Sequence, residues 1–126
     1  MSGTELRLSP LAHTWLFDFD GTLVVHNGYK SGRDEWLPGA LEFLKSLPEG
    51  DTVIILTARE RAAREKTEAF LRSYGVRYDH LFFEIPVGER ILLNDCKPSG
   101  LPCAYAVRPV RNQGLAHLSL VIDENL

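Results

Sequence analysis

The fold is decided by the stretch HTWLFDFDGTL at residues 13–23. Its first half is an apolar run that ends in a carboxylate, Asp18. Such a run predicts a buried β-strand whose carboxyl end opens into a site. Asp20 follows two residues later, and Gly21 lets the backbone turn tightly after it. The stretch therefore predicts a strand that delivers two acids to one edge of a sheet.

The rest of the chain alternates short apolar runs with helical segments, which is the pattern of a parallel α/β sheet. The further predicted elements are a helix that starts at Pro38, a strand over 52–57, a helix over 60–74, and strands over 81–83, 90–94 and 104–107. The tail over 112–126 fits a helix and a strand equally well. Because domains commonly have 100–150 residues, we expect residues 1–126 to form a single domain.

Composition excludes several classes of protein. The chain has a net charge of −3 and no basic cluster, so no nucleic-acid partner is expected. Two cysteines, Cys96 and Cys103, are too few for a disulfide framework, and we expect reduced thiols. No apolar run approaches the ~18 residues of a membrane span, and no signal-peptide pattern is present, so no membrane partner and a cytoplasmic location are expected.

Polar side chains follow three of the predicted strands. Asp18 and Asp20 follow the first, Thr57 ends the second, and Asn94 with Asp95 ends a later one. The carboxyl ends of parallel strands open into a common crevice, where ligands bind. Hard oxygen ligands of this kind suit Mg²⁺. The sequence therefore predicts a Mg²⁺ site at this edge of the sheet.

Three segments resemble motifs of the haloacid dehalogenase (HAD) superfamily of phosphohydrolases. DFDGTL at 18–23 is similar to the first motif, DxDGT, while IILTAR at 54–59 and LND at 93–95 are similar to the second and fourth. The resemblance covers most of the chain, in order. It implies a Rossmann-like three-layer α/β/α sandwich with a mostly parallel sheet of about five strands. One helix and loops fill each interval between the motifs, which leaves no room for a cap domain.

The resemblance also implies roles for individual residues. Asp18 would be the nucleophile and a Mg²⁺ ligand, and Asp20 the general acid/base with its backbone carbonyl on the metal. Thr57 would hold the transferring phosphoryl group, and Asp95 would complete the metal site. Asn94 either aligns a water on the metal or caps its strand. The predicted substrate-binding residues are Gly21, Thr22, Ala58 and Arg59, although Arg59 could equally form an ion pair or cap a helix.

The third motif departs from the family pattern. The family places a lysine beside the phosphate, and at the corresponding position this chain has Ile85. Lys97, two residues after Asp95, is the predicted substitute, and Lys66 is the fallback. Electrostatic stabilisation is usually the largest catalytic contribution, so a chain with neither lysine in the site should turn over poorly.

Two functions stay open at this point. The first is Mg²⁺-dependent hydrolysis of a small phosphate monoester, with sugar phosphates as the leading substrates because the resemblance extends to a capless subgroup of bacterial surface-sugar pathways. The second is a non-catalytic phosphate-binding or regulatory module on the same fold. Capless members often form homo-oligomers or act on large substrates. The loop that holds Tyr29, Lys30, Arg33 and Trp36 either covers the substrate as a flap or is solvated, with Trp36 packed on the first helix.

Overall fold

The computed structural model describes residues 3–126, and within that range five strands form two sheets with parallel pairing throughout. The strands are β1 (Thr4–Leu8), β2 (Thr14–Asp18), β3 (Thr52–Leu56), β4 (His80–Phe82) and β5 (Leu118–Ile122). The helices are α1 (Ala40–Ser46) and α2 (Arg64–Ser73), with short 3₁₀ helices at Gly28–Ser31 and Arg61–Ala63. The predicted α/β class with parallel pairing is confirmed.

The larger sheet has the strand order β2-β3-β4, with β3 in the centre. Side chains alternate between its two faces, as the pleat requires. Phe17, Ile55 and Leu81 lie in one row and are buried. On the opposite face, Leu16 is 55% exposed and Phe82 is 47% exposed. The sheet is thus packed on one face and open at these positions on the other, so the three-layer sandwich stays a prediction.

Both helices contribute to the core on the packed face. Phe43 and Leu44 of α1 and Leu71 of α2 belong to the same buried cluster as Phe17 and Ile55. Burial of an apolar side chain of this size is worth about 1.5–3 kcal/mol. The packing of α1 and α2 on β2 and β3 therefore holds the carboxyl ends of these strands in place.

The two ends of the described chain meet in a separate sheet, in which β1 pairs in parallel with β5. Leu6 lies opposite Leu120, and Leu120 packs on the core. The alternatives for the 112–126 tail are resolved in favour of a strand at Leu118–Ile122. A neighbouring strand was needed to decide this, because the apolar run alone fits either structure.

The predictions of strands over 90–94 and 104–107 are wrong, since the structure has neither helix nor strand between residues 83 and 110. Ile91 is 78% exposed, Leu93 87% and Tyr105 50%. A β-branched and apolar composition favours a strand only where neighbouring strands and a core receive it, and here most of the apolar side chains are exposed. Among the described helices, none has the length and apolar character needed to cross a membrane.

Candidate active site

The candidate site lies where β2 and β3 end side by side. Asp18 is the last residue of β2 and pairs with Leu56. The ladder continues for one more residue, because the amide of Phe19 donates to the Leu56 carbonyl at 3.0 Å. Beyond this bond, Asp20 follows Phe19 after β2, and Thr57 follows Leu56 at the end of β3. The Thr57 hydroxyl donates to Oδ2 of Asp20 at 2.8 Å, so the structure brings these two predicted residues together.

A tight turn follows β2 and shapes the site. The Phe19 carbonyl accepts the amides of Thr22, Leu23 and Val24, and the amide of Gly21 donates to the Val24 carbonyl at 2.7 Å. Gly21 has φ 88°, and a Cβ atom there would lie 3.3 Å from the Cγ of a neighbouring side chain. Phe19, Leu23 and Val24 are completely buried. The sequence FDGTLV thus forms a turn whose apolar residues anchor it and whose polar residues face the cleft.

Asp18 is the more accessible of the two acids, with a side chain that is 39% exposed. Its Oδ2 accepts the hydroxyl of Thr22 at 3.1 Å. Its Oδ1 accepts Nη1 of Arg90 at 3.0 Å, and the Arg90 side chain is 41% exposed. Exposed ion pairs contribute little, typically ~0–1 kcal/mol. A ligand can therefore displace Arg90 from Asp18 at a small cost in free energy.

Asp20 is held much more firmly, by Arg59. The Nε and Nη2 atoms of Arg59 donate to the same oxygen, Oδ1 of Asp20, at 3.0 and 2.8 Å. The Arg59 side chain is only 1% exposed, and that of Asp20 is 13% exposed. Because Thr57 donates to Oδ2, both oxygens of Asp20 have partners within the protein.

The other side of the Arg59 guanidinium faces Asp34. Nη1 donates to Oδ2 of Asp34 at 3.0 Å and Nη2 donates to its Oδ1, while Nη1 also donates to the Thr67 hydroxyl at 2.9 Å. Burial acts to lower the pKa of Arg59, but the hydrogen bonds and charges of Asp34 and Asp20 raise it above its ordinary value overall. Arg59 therefore stays a cation and links two acids. Among the alternatives for Arg59, the ion pair is the one seen.

An open cleft of about 250 Å³ lies beside the two acids. We call it the acid cleft, and it is lined by Asp18, Asp20, Gly21, Thr22, Pro109 and Arg111. Arg111 was not predicted as a site residue. Its Cγ lies against Gly21, so it places a cationic side chain next to the acids.

The turn that carries Arg111 is attached directly to the turn after β2. The backbone amide of Asn112 donates to the Gly21 carbonyl at 2.9 Å. The side-chain oxygen of Asn112 accepts the amide of His26 at 2.8 Å. The amide of Leu115 donates to the Pro38 carbonyl at 2.8 Å. These long-range bonds fix the position of Arg111. Arg111 lies just before the 112–126 tail and belongs to no motif, so no sequence signal indicated this placement.

Several predicted site residues lie outside this cluster. Asp95 and Lys97 are exposed in the segment without helix or strand, and neither lines the acid cleft. Asn94 donates to the carbonyl of its neighbour Asp95 at 3.1 Å. Lys66 on α2 and Ala58 after β3 are exposed too. The roles predicted for Asp95, Lys97, Lys66 and Ala58 stay predictions.

The carboxylates beside the acid cleft are the candidate ligands for Mg²⁺. Within residues 3–126, no group of three or more His, Cys, Asp or Glu side chains is arranged to hold a metal. Mg²⁺ however keeps several waters and is often bound through only one or two carboxylates plus a substrate phosphate. The half-exposed carboxylate of Asp18, next to Asp20, fits that smaller requirement. Asp95 does not join them in this structure.

No family model matches the chain, and no curated protein matches it. A solved chain from the "Structure of Pnkp1/Rnl/Hen1 complex" is similar, with 34% sequence identity and a TM-score of 0.48. The similarity covers 66% of this chain and 31% of that one, so the present chain corresponds to less than a third of the solved chain.

Proposed function

We propose that this chain is a Mg²⁺-dependent phosphohydrolase of the HAD superfamily, which cleaves a phosphate monoester through an aspartyl-phosphate on Asp18. The observation that carries the proposal is that two neighbouring acids have different surroundings. Asp18 is open to the acid cleft, whereas Asp20 is held by Arg59 and Thr57. A nucleophile has to reach the phosphorus atom, and of the two acids Asp18 is the more accessible one and lines the acid cleft. The proposal includes a cytoplasmic location and a three-layer Rossmann-like sandwich without a cap over residues 1–126.

In the first step an oxygen of Asp18 bonds to phosphorus while the ester P–O bond breaks. Asp20 gives a proton to the departing oxygen. In the second step water attacks phosphorus, the bond from Asp18 to phosphorus breaks, and the proton of that water goes to Asp20. Inorganic phosphate leaves, and both acids return to their starting forms.

For Asp20 to carry a proton, one of its two oxygens has to lose its present hydrogen-bond donor. Oδ2 is the better candidate, since it is bonded to the Thr57 hydroxyl alone, whereas Oδ1 accepts two bonds from a buried cation. Thr57 is fully buried and does not line the acid cleft, so its predicted contact with the phosphoryl group stays a prediction. We propose that its hydroxyl turns away from Oδ2 when substrate binds, which leaves Oδ2 to carry the proton.

Arg111 is proposed to supply the positive charge for which the family uses a lysine. It lines the acid cleft beside Asp18 and Asp20, and its turn is bonded to Gly21. Arginine binds phosphate oxygens through short, charge-assisted hydrogen bonds. Lys97 remains the alternative predicted from the sequence.

Asp18 and Asp20 are proposed to hold Mg²⁺, with Asp95 as a further ligand once substrate is bound. The ion would supply charge neutralisation, which lets a carboxylate approach a phosphate. The substrate is proposed to be a small phosphate ester such as a sugar phosphate, with no nucleic acid or membrane as partner. A homo-oligomer would compensate for the lack of a cap.

The test is phosphate release from sugar phosphates, nucleotides and p-nitrophenyl phosphate, with Mg²⁺ and with EDTA. We expect turnover that EDTA abolishes and that Asp18→Asn lowers by more than about a thousandfold. Glu49→Gln, at an exposed acid after α1, is the control and should behave as wild type.

The non-catalytic module makes the opposite prediction. It would give no turnover with any substrate, while a phosphate analogue such as tungstate would still bind in the presence of Mg²⁺. That result would replace the hydrolase with the phosphate-binding module. Turnover unaffected by Asp18→Asn would reject Asp18 as the nucleophile.

A further inference from the structure

Asp34 lies on the loop after the first motif, well away from the acids in sequence, yet it is part of their hydrogen-bond network. Its side chain is only 6% exposed. Both of its oxygens accept from Arg59, which in turn donates to Asp20. We infer that Asp34 is a positioning residue for Asp20, acting through Arg59. The inference rests on the proposed function of Asp20 as the general acid/base.

The orientation of the Arg59 guanidinium depends on Asp34. The rings of Phe19 and Tyr29 lie against it, at 4.7 and 4.0 Å from Cζ to the ring centroids, and restrict its tilt. Rotation within its own plane is limited by the hydrogen bonds at its edges. Asp34 accepts from Nη1 and Nη2, and Thr67 accepts from Nη1 as well, so the edge formed by Nε and Nη2 has to face Asp20.

The loop that presents Asp34, residues 25–36, is itself held in place. Val24 forms a bridge with Trp36, and the Val25 amide donates to the Glu35 carbonyl at 3.0 Å. The Trp36 ring stacks on Phe70 of α2, with centroids 5.0 Å apart. Of the alternatives open for this loop, packing of Trp36 is seen, but against α2 instead of the first helix. The loop is therefore a fixed support for the acid.

This arrangement assigns different tasks to the two oxygens of Asp20. Oδ1 is held by Arg59, which Asp34 positions. Oδ2 loses the hydrogen bond from the Thr57 hydroxyl and takes up a proton. A carboxyl group held at one oxygen can, once the other oxygen is protonated, donate from that oxygen without losing its direction toward the leaving group. Small displacements of a catalytic group lower rates strongly, by up to about a hundredfold for 1 Å.

Asp34→Asn tests the inference, because it keeps the shape of the side chain and removes its charge. With p-nitrophenyl phosphate we expect kcat to fall about 10–100-fold, as for other supporting groups around a reactive centre, with KM changed less than about threefold. Glu35→Gln, at the exposed neighbouring acid, is the matched control and should retain wild-type kcat. A folded Asp34→Asn protein with kcat within about twofold of wild type would overturn the inference.

A second measurement does not need activity. In the wild type the Nε–H of Arg59 should give a slowly exchanging NMR signal, since it is buried and bonded to Asp20. Asp34→Asn should shift this signal and speed its exchange, whereas Glu35→Gln should not. An unchanged signal overturns the inference even if the wild type hydrolyses nothing, while a changed signal with an inactive wild type rejects only the proposed reaction.

If Asp34→Asn fails to fold, Thr67→Val provides the same two measurements. It removes only the hydroxyl that Nη1 contacts and keeps the shape of a fully buried side chain. We expect a smaller loss of kcat, several-fold, with a shifted Arg59 signal. No change in either measurement would count against the inference.

Discussion

Arg59 donates from two nitrogen atoms to a single oxygen of Asp20, at 3.0 and 2.8 Å. This contact turns an arginine predicted as a substrate ligand into part of the protein interior, with its side chain 1% exposed. A buried cation is stable only with paired charges, and here Asp20 and Asp34 supply them. The candidate acid/base is thus bound into the fold before any substrate arrives.

Loss of the Arg59 charge should destabilise the protein strongly. Arg59→Met leaves Asp20 and Asp34 facing each other without a cation, and breaking a buried ion pair typically costs about 3–5 kcal/mol. Arg61→Met is the control, because Arg61 pairs with Glu84 at the surface, with side chains 79% and 49% exposed. Urea unfolding should show a change below about 1 kcal/mol for the control. Equal changes in the two variants would contradict the role of the buried pairs.

The stabilisation by Arg59 should also persist as pH rises across the neutral range. The pKa of Arg59 is raised above its ordinary value, by partners that outweigh its burial. The contribution of Arg59 to the free energy of unfolding is complete at pH values below its ordinary pKa. This contribution is lost only as pH rises through the raised pKa. The difference in unfolding free energy between wild type and Arg59→Met should therefore not decline as pH rises from about 6 to 9. A decline in that difference toward pH 9 would mean that Arg59 loses its proton.

Arg111 and Lys97 can be separated by mutation. Arg111→Ala should weaken tungstate binding at least about tenfold, because a hydrogen bond to a charged group is worth about 1.5–3 kcal/mol. Lys97→Ala should change activity by less than about twofold, since Lys97 does not line the acid cleft. Arg108→Ala, at an exposed arginine three residues before Arg111, controls for loss of positive charge. If Lys97→Ala has the larger effect on binding and turnover, Lys97 and not Arg111 is the site cation.

The turn that carries Arg111 should depend on Gly114. It has φ 80°, and an added Cβ would clash with the Pro38 carbonyl oxygen. Gly114→Ala should lower the unfolding free energy by more than the ~1 kcal/mol that Gly→Ala changes at compatible sites contribute. Gly50→Ala, where no atom lies within 4 Å of the new Cβ, should be neutral or stabilising. Similar melting temperatures for the two variants would contradict the close contact.

Asp51 should matter for stability and not for chemistry. It is buried and accepts the Trp15 indole N–H at 2.9 Å and the His13 amide at 3.0 Å. Asp51→Ala leaves these donors unsatisfied, at a cost of about 1–3 kcal/mol. Urea unfolding followed by tryptophan fluorescence should show this loss, while kcat of the folded protein stays unchanged. A large fall in kcat without loss of stability would link Asp51 to the site.

Prediction from the sequence succeeded where the information is local. The apolar run before Asp18 and the β-branched run at 52–57 are strands in the structure, β2 and β3. The helix predicted over 60–74 is seen as α2, at Arg64–Ser73. Prediction from the sequence failed over 90–94 and 104–107. Composition favours a strand there, but no neighbouring strand pairs with either segment in the described structure.

The sequence by itself determined that two acids lie at the carboxyl end of a strand and that a hydroxyl follows the neighbouring strand, since side-chain period and turn residues are properties of consecutive positions. It did not determine that this strand, predicted to be buried, is open on one face. Only the tertiary structure decided which groups meet those acids. Asp34 reaches Arg59 across 25 positions, and Arg111 reaches Gly21 from the far end of the chain. Such contacts depend on how loops pack once the sheet has formed, and no spacing in the sequence encodes them.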